Sequence, residues 1–360
     1  NIMPLVIKII LMVFSSNVLS QGFRGKSFPE PKIEYAPKSY VCYRTLSPIV
    51  MDGKLDDPSW LLTDWTESFV DIEGRLKPKP FYDTKVKMLW DERYFYFAAK
   101  LEDPHIWATL KMRDTVIFKN NNFEIFLDPD GDTHNYMELE VNAFATEWDL
   151  LLLAPYHDKK NVAIDSWDIS GLITKVSIDG TINNAADRDN EWSVEIAIPW
   201  EAIQDYTPNL LPVEGEHWKV NFARVQWDID IINNKYIKTK TPEFNWVWSP
   251  HGLVYMHMPD LWGLVQFTNE EIGGNKIEFI DKGIDKVKWA LRKVYYRQRN
   301  YYHRKERYTA SIKELNLLEK PSEGVPWPPK ITLNTSGWQA SLEWNNITVI
   351  IRTDGKVWVI

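Results

Sequence analysis

Three glutamates stand where two antiparallel strands would bring their carboxyl groups together. Glu138 and Glu140 lie two residues apart in an alternating run, so their side chains share one face of a strand, and Glu124 lies in the preceding run. Hydrolysis of a glycosidic bond uses two carboxyl groups that flank the bond. The three residues are therefore candidates for a glycoside hydrolase centre. A polar face of an antiparallel sheet would carry the same residues without a catalytic role.

A second acidic motif is the stretch Asp128-Pro129-Asp130-Gly131-Asp132, which places three carboxylates at alternate positions around a glycine. Calcium prefers several oxygen ligands around a tight turn, and this spacing resembles the start of a calcium loop. An Asp-Gly pair between two strands also indicates a hairpin turn, which needs no metal. The motif is thus either a turn alone or a turn in which Asp128, Asp130 and Asp132 bind structural calcium.

Motifs specific for other chemistries are absent from the sequence. It contains no Gly-x-Ser-x-Gly nucleophile motif, phosphate-binding loop, dinucleotide-binding glycine pattern or His-Glu-x-x-His motif. The seven histidines are scattered, and none has the close spacing of metal ligands. With 42 basic and 50 acidic side chains the net charge is −8, which disfavours nucleic acid as a partner.

The elements that must position these residues are short strands. Runs that alternate apolar and polar residues recur with Asp, Gly and Asn at the joints, which indicates an antiparallel β-sandwich of the jelly-roll or immunoglobulin-like type. The fold class is therefore predicted as mainly β. The runs cover residues 84–90, 94–102, 122–128, 135–142, 147–153, 172–178, 192–198, 218–227, 245–248 and 261–267.

The chain is rich in aromatic residues, with 18 Trp, 16 Tyr and 15 Phe among its 360 residues. Large flat side chains fill the core of a β-sandwich, and on a surface they form platforms for flat ligands such as sugar rings. Trp246 and Trp248 illustrate these two possibilities, because alternation puts both on one face of a strand. They either lie in the core or form a ligand platform.

The pattern changes to that of a helix in residues 285–308, which carry nine Lys and Arg side chains and only two acidic ones. This basic amphipathic helix fits either an external acidic partner or the acidic sandwich itself. Its apolar face consists of Val287, Leu291, Val294, Tyr295 and Tyr302. We divide the chain into a signal peptide at 1–20, an extended lead-in at 21–44, the sandwich at 45–268, a linker and basic helix at 269–310, and a small β appendage at 311–360.

The first residues have the pattern of a secretory signal. An apolar run at 5–14 is broken only by Lys8, and small residues follow it, which predicts cleavage near Ser20. The run is too short to span a bilayer, and we expect no transmembrane segment later in the chain. The single Cys42 cannot form an internal disulfide. Export without disulfides suits a bacterial periplasm or cell surface, or secretion from a bacterium.

Four motifs in register resemble the family 9 carbohydrate-binding modules and their relatives in secreted bacterial proteins. They lie at 49–60, 86–96, 122–128 and 194–200, so the resemblance covers about 45–268. It implies a β-sandwich that binds sugars or the ends of sugar chains and carries structural calcium. Such modules are often attached to xylanases and other glycoside hydrolases, which implies a role in polysaccharide recognition and catabolism.

The resemblance also suggests site residues. The two tryptophan platforms of the family fall near Phe118 and Met256 in this chain, and Glu124 matches a sugar-binding glutamate. Glu140 stands where the family has a basic residue. We predict that a pyranose ring stacks on Phe118 and Trp248 and that Glu124, Asn142 and His257 bond to its hydroxyl groups. The predicted ligand-binding set is Phe118, Glu124, Glu140, Asn142, Trp246, Trp248, Met256 and His257.

Two other functions stay open at this point. One is glycoside hydrolysis by Glu124, Glu138 or Glu140. The other is haem binding, as in relatives of the same sandwich group, with Met256 or His257 as an axial ligand.

Overall fold

The structure is a computed structural model that describes residues 28–158 and 161–360. The fold is mainly β, as predicted, and the sandwich is followed by one long helix and a small sheet. The predicted signal peptide at 1–20 lies outside the described residues. The strands are β1 Ser39–Arg44, β2 Val70–Asp71, β3 Thr84–Trp90, β4 Tyr94–Glu102, β5 Asn122–Asp128, β6 Tyr136–Asn142, β7 Glu147–Leu152, β8 Ala163–Ile164, β9 Ile173–Asp179, β10 Glu191–Pro199, β11 His217–Gln226, β12 Ile229–Ile232, β13 Lys235–Lys238, β14 Phe244–Val247, β15 Gly263–Glu271, β16 Lys330–Asn334, β17 Gly337–Trp344, β18 Ile347–Arg352 and β19 Val357–Val359, and the helices are α1 Pro58–Leu62, α2 Trp200–Ile203 and α3 Ile284–Lys305.

The strands of the sandwich form one continuous sheet whose two halves pack against each other. Their order is β8-β7-β6-β5-β11-β15-β1-β3-β4-β10-β9, with β14 beside β11 and β2 beside β14. The pairs are antiparallel except those of β1, which is parallel to β15 and β3. Ser39–Arg44 is therefore a strand of the sheet, although we predicted an extended lead-in for residues 21–44.

The main core lies between the two halves and follows from the alternation of side chains along each strand. Ile125 of β5 and Leu139 of β6 point inward from one half, and Phe97 of β4 and Ile196 of β10 point inward from the other. Each fully buried side chain of this kind stabilises the fold by about 1.5–3 kcal/mol. Tryptophans fill much of this core, namely Trp90, Trp192, Trp200, Trp218, Trp246 and Trp248.

The opposite face of the half-sheet around β5, β6 and β7 is also covered. Phe126 and Tyr136 on this face pack with Trp148 and Trp262 in a second cluster of buried side chains. Side chains from residues 110–118 and from Met256 pack onto the same cluster. The strands β5 and β6 are consequently buried on both faces, and the glutamates on the outer face lie beneath loops.

The C-terminal region packs against the sandwich. Helix α3 lies against the antiparallel sheet β16-β17-β18-β19, with Leu291 and Val294 buried between them. Tyr302 was predicted on the apolar face of this helix, but it is 45% exposed because it lies in the last turn, beyond the packed part. Among the residues that the structure describes, no helix combines the length and the apolar character needed to cross a membrane.

Candidate functional site

A cleft of about 450 Å³ opens on the covered outer face of β5 and β6. The carboxyl groups of Glu124, Glu138 and Glu140 line it, as the strand alternation predicted. Three predicted ligand-binding residues from other segments, Phe118, Met256 and His257, line the same cleft. Tertiary packing thus brings five of the eight predicted ligand-binding residues, together with Glu138, into one cavity.

Two of the cleft carboxylates are connected by an amide. Glu124 of β5 and Glu140 of β6 are directly opposite in the antiparallel register. The Nδ2 atom of Asn122 donates to Oε1 of Glu124 at 2.9 Å and to Oε2 of Glu140 at 3.2 Å. The backbone N–H of Phe118 also donates to Oε2 of Glu140 at 2.7 Å. This arrangement fixes the two carboxyl groups side by side at the cleft.

The third carboxylate, that of Glu138, has no such support. Its side chain is 5% exposed, and among the described residues no hydrogen-bond donor reaches it. Nε2 of His257 lies 3.8 Å from Oε2 of Glu138. Burial lowers the pKa of His257 to about 3, so the imidazole is neutral at physiological pH and the pair is not an ion pair.

The protonation of the three glutamates is shifted in one direction. Burial disfavours the charged form and raises the pKa of Glu124 to about 7. Burial and the neighbouring carboxylates raise the pKa values of Glu138 and Glu140 well above their usual value. Without a ligand the site therefore holds protons at neutral pH, and its carboxyl groups can act both as hydrogen-bond donors and as acceptors.

The walls of the cleft are aromatic. Trp148 lies on β7 opposite Glu140 in the strand register, and its ring centroid is 6.4 Å from that of Phe118. Tyr156 lines the cleft and contacts the ring of His257 edge-on at 4.5 Å. Trp148, Tyr156 and Glu243 were not predicted. The register of the β6–β7 pair would have placed Trp148 beside Glu140, whereas Tyr156 and Glu243 lie outside the strands.

Three predicted ligand-binding residues lie elsewhere. Trp246 and Trp248 are 2% and 0% exposed in the main core, on the face of the sheet opposite the cleft, so neither forms a platform. Asn142 is fully buried and bonds to protein groups at both ends of its amide. Its Nδ2 donates to the carbonyl of Leu110 at 2.8 Å, and its Oδ1 accepts the N–H of Thr146 at 3.1 Å.

The haem alternative is not supported by the position of His257. Met256 and His257 lie there together. However, Nδ1 of His257 is 3.0 Å from the hydroxyl of Tyr136, and its Nε2 faces Glu138. Both ring nitrogens therefore already face protein oxygens, and neither is directed at an open axial position.

The acidic loop at Asp128, Asp130 and Asp132 gathers oxygen atoms as a cation site would. One carboxylate oxygen from each residue lies within 4.8 Å of the others. Oδ1 of Asp128 is buried without a hydrogen-bond partner among the described residues, so this donor set fits calcium. Two ammonium groups from the C-terminal region reach the same loop. Nζ of Lys288 donates to the carbonyl of Gly131 at 2.9 Å, and Lys356 forms an ion pair with Asp132.

Many basic side chains of α3 also meet carboxylates of this chain. Arg292 is fully buried beside Asp260, with Nε and Oδ2 3.4 Å apart. Arg299 pairs with Asp158 of the sandwich at 3.4 Å. These contacts correspond to the interpretation in which the helix lies on the acidic sandwich, and an external acidic partner stays a prediction.

Comparison with known proteins identifies the family of the chain. Residues 50–240 match the family described as carbohydrate family 9 binding domain-like. A carbohydrate-binding module of family 9 from Caldicellulosiruptor kristjanssonii, solved with cellotriose, is 16% identical with a TM-score of 0.42, covering 66% of this chain and 99% of its own. The same organism's module with glucose is 17% identical with a TM-score of 0.43, covering 66% of this chain and 100% of its own.

A candidate carbohydrate-binding protein from Bacteroides uniformis is 17% identical with a TM-score of 0.48, covering 64% of this chain and 100% of its own. A comparison with curated proteins finds no match. All three TM-scores are below 0.5, so the assignment rests on the family model, which matches more than half of the chain. The chain belongs to the carbohydrate family 9 binding domain-like proteins.

Proposed function

We propose that the cleft between β5, β6 and the loops above them binds a sugar. The observation that carries this proposal is the combination, in one cavity of a family 9 chain, of aromatic walls with paired carboxyl groups. A pyranose ring offers apolar C–H groups on its faces and hydroxyl groups at its rim. Phe118 and Trp148 would contact one face of the ring, and Glu124 and Glu140 would bond to the hydroxyl groups.

The direct test is isothermal titration calorimetry with glucose, xylose and cellotriose as probes. Glu124→Gln keeps the shape of the side chain but removes a charge-assisted bond, so we expect about tenfold weaker binding. Glu343→Gln, an exposed change on the small C-terminal sheet, is the matched control and should bind like the wild type. The proposal fails if no sugar binds the wild type or if both variants bind equally well.

Glycoside hydrolysis is a second candidate function. The observation in its favour is that Glu124, whose pKa is raised to about 7, shares Asn122 with a second carboxyl group. A general acid needs a pKa near the working pH. Release of new reducing ends during the same titrations would identify an enzyme, and Glu124→Gln should then abolish turnover. Binding without release would assign a binding role only.

The proposal extends to the cellular setting and to calcium. The signal-like run at 5–14 supports export to the periplasm, the cell surface or the medium, where the protein would recognise polysaccharides that are being broken down. Asp128, Asp130 and Asp132 would hold a structural calcium ion, which supplies positive charge to the loop. The orphan oxygen of Asp128 supports this site, and a calcium-dependent melting temperature is its test.

A further inference from the structure

We propose that the sugar recognised by this cleft carries an ammonium group, so that the preferred ligand is an amino sugar with a free amine. This inference rests on the proposed function and specifies its ligand class. It predicts that a protonated amino sugar binds more tightly than a neutral sugar of the same ring geometry.

The first argument is the balance of charge around the cavity. Four carboxyl groups line it, from Glu124, Glu138, Glu140 and Glu243. The only Lys or Arg among the lining residues is Lys119, whose side chain is exposed to solvent. Beside a neutral sugar the buried glutamates could ionise only at the cost of uncompensated negative charge, whereas a bound ammonium group supplies the positive charge that offsets it.

The second and independent argument is the lack of a partner for Glu138. This carboxyl group is about as buried as that of Glu140, yet among the described residues no donor bonds to it. A carboxyl group that is this buried and accepts no hydrogen bond is unfavourable, and more so if it is charged. An ammonium group brings three N–H donors and could bond to Glu138 and to a neighbouring carboxylate at once.

The third argument comes from the walls. Trp148, Tyr156 and Phe118 line the same cavity as the carboxyl groups. Cations are attracted to the faces of aromatic rings, most strongly to tryptophan, and the attraction grows when water is excluded. Rings that contact the sugar face would therefore also stabilise an ammonium group on that sugar.

Proton release follows from this geometry. Burial and mutual repulsion keep the three glutamates partly protonated in the free protein. A bound cation favours their ionised form, so binding an amino sugar should expel protons into the buffer. The other ionisable groups that line the cleft or act on Glu138 are Lys119, Tyr156, Asp165, Glu243, Tyr255 and His257.

The test compares D-glucosamine, N-acetyl-D-glucosamine and D-glucose by calorimetry, at a pH where the amine is protonated, in two buffers of different ionisation enthalpy. We expect glucosamine to bind about tenfold more tightly than the other two. Its binding enthalpy alone should depend on the buffer, because only it releases protons. Ethanolamine, an amine without a sugar ring, should bind much more weakly than glucosamine.

The variant Glu138→Gln should remove most of the preference for glucosamine over glucose, and Glu343→Gln, far from the cleft, should leave both affinities unchanged. Circular dichroism confirms that the variants are folded. Equal affinity for glucosamine and glucose would overturn the inference and leave the proposed function standing. Tight binding of ethanolamine would overturn the role of the sugar ring, and no binding of any sugar would overturn both proposals.

Discussion

Two parts of the molecule bury glutamate carboxyl groups, and they differ in what surrounds them. Glu195 on β10 is fully buried and accepts bonds from the N–H of Asp52 at 2.9 Å, the N–H of Gly53 at 2.8 Å and Nε1 of Trp60 at 2.8 Å. Glu138 in the cleft is 4% exposed and accepts none from the described residues.

The comparison separates a structural carboxylate from one that faces a ligand. Burial raises the pKa of Glu195 and of Glu124 alike to about 7, so depth alone does not distinguish the two places. The donors do. Around Glu195 the protein supplies every partner from its own turn and helix, whereas around Glu138 it supplies walls and space. Buried polar groups in proteins are normally hydrogen-bonded, and the missing donors at Glu138 are therefore the ones we assign to a ligand.

The largest effect is expected at the structural carboxylate. Glu195→Gln replaces one acceptor oxygen by an NH₂ group, which faces an N–H donor instead of accepting from it. We expect a loss of about 2–3 kcal/mol in the free energy of unfolding, measured by urea denaturation, with sugar affinity unchanged. A loss below about 0.5 kcal/mol would break the comparison, because Glu195 would then not depend on its three donors.

A smaller effect on stability, of opposite sign, is expected when Glu138 in the cleft is replaced by Gln. The folded-state pKa of Glu138 is raised above its usual value of 4.5, so its ionisation disfavours the folded state. The contribution of protonated Glu138 to the free energy of unfolding is fully present below pH 4.5. It is lost as the pH rises through the folded-state pKa. Glu138→Gln cannot ionise, so its stability should fall less between about pH 5 and pH 8, by about 1 kcal/mol. Denaturation curves at both pH values measure this. Parallel losses in wild type and variant would contradict the account.

The smallest effect is expected at the acidic loop. Its buried carboxylate is intermediate between the two cases because only one of its oxygens accepts a hydrogen bond. Asp128 is fully buried, with the N–H of Thr133 bonded to Oδ2 at 3.0 Å while Oδ1 has no partner in the described chain. Lys356→Gln removes an ammonium group from Asp132. Calcium should then raise the melting temperature of the variant by a few degrees more than that of the wild type. A melting temperature that neither calcium nor a chelator changes in either protein would show that no cation binds the loop.

The strands and the carboxylate pair could be predicted from the sequence because they depend on local alternation. Period two placed Glu138 and Glu140 on one face, and the hairpin placed Glu124 opposite Glu140. Alternation could not tell which face of β14 lies inward, because both faces of this half-sheet are covered. Trp246 and Trp248 were consequently left open and turn out to be core residues.

The rest of the site depends on contacts between segments far apart in the sequence. Tyr156 and His257 meet edge-on in the cleft although about a hundred residues separate them. Both residues lie in loops, which follow no hydrophobic period, so their positions are set by tertiary packing. The donors of Glu195 likewise come from a turn and from a side chain of α1 that only the folded chain brings to β10.

The most direct test of the central claim, that this cleft is the ligand site, is a ¹³C NMR titration with glucosamine. It follows the carboxyl carbons of the glutamates as the sugar is added. The carboxyl resonances of Glu124, Glu138 and Glu140 are assigned through their Gln variants, with Glu195 as the internal reference. We predict that the three cleft resonances shift with one common affinity while that of Glu195 stays in place. Unchanged cleft resonances at saturating sugar, or shifts of the same size at Glu195, would contradict the assignment of this cleft as the ligand site.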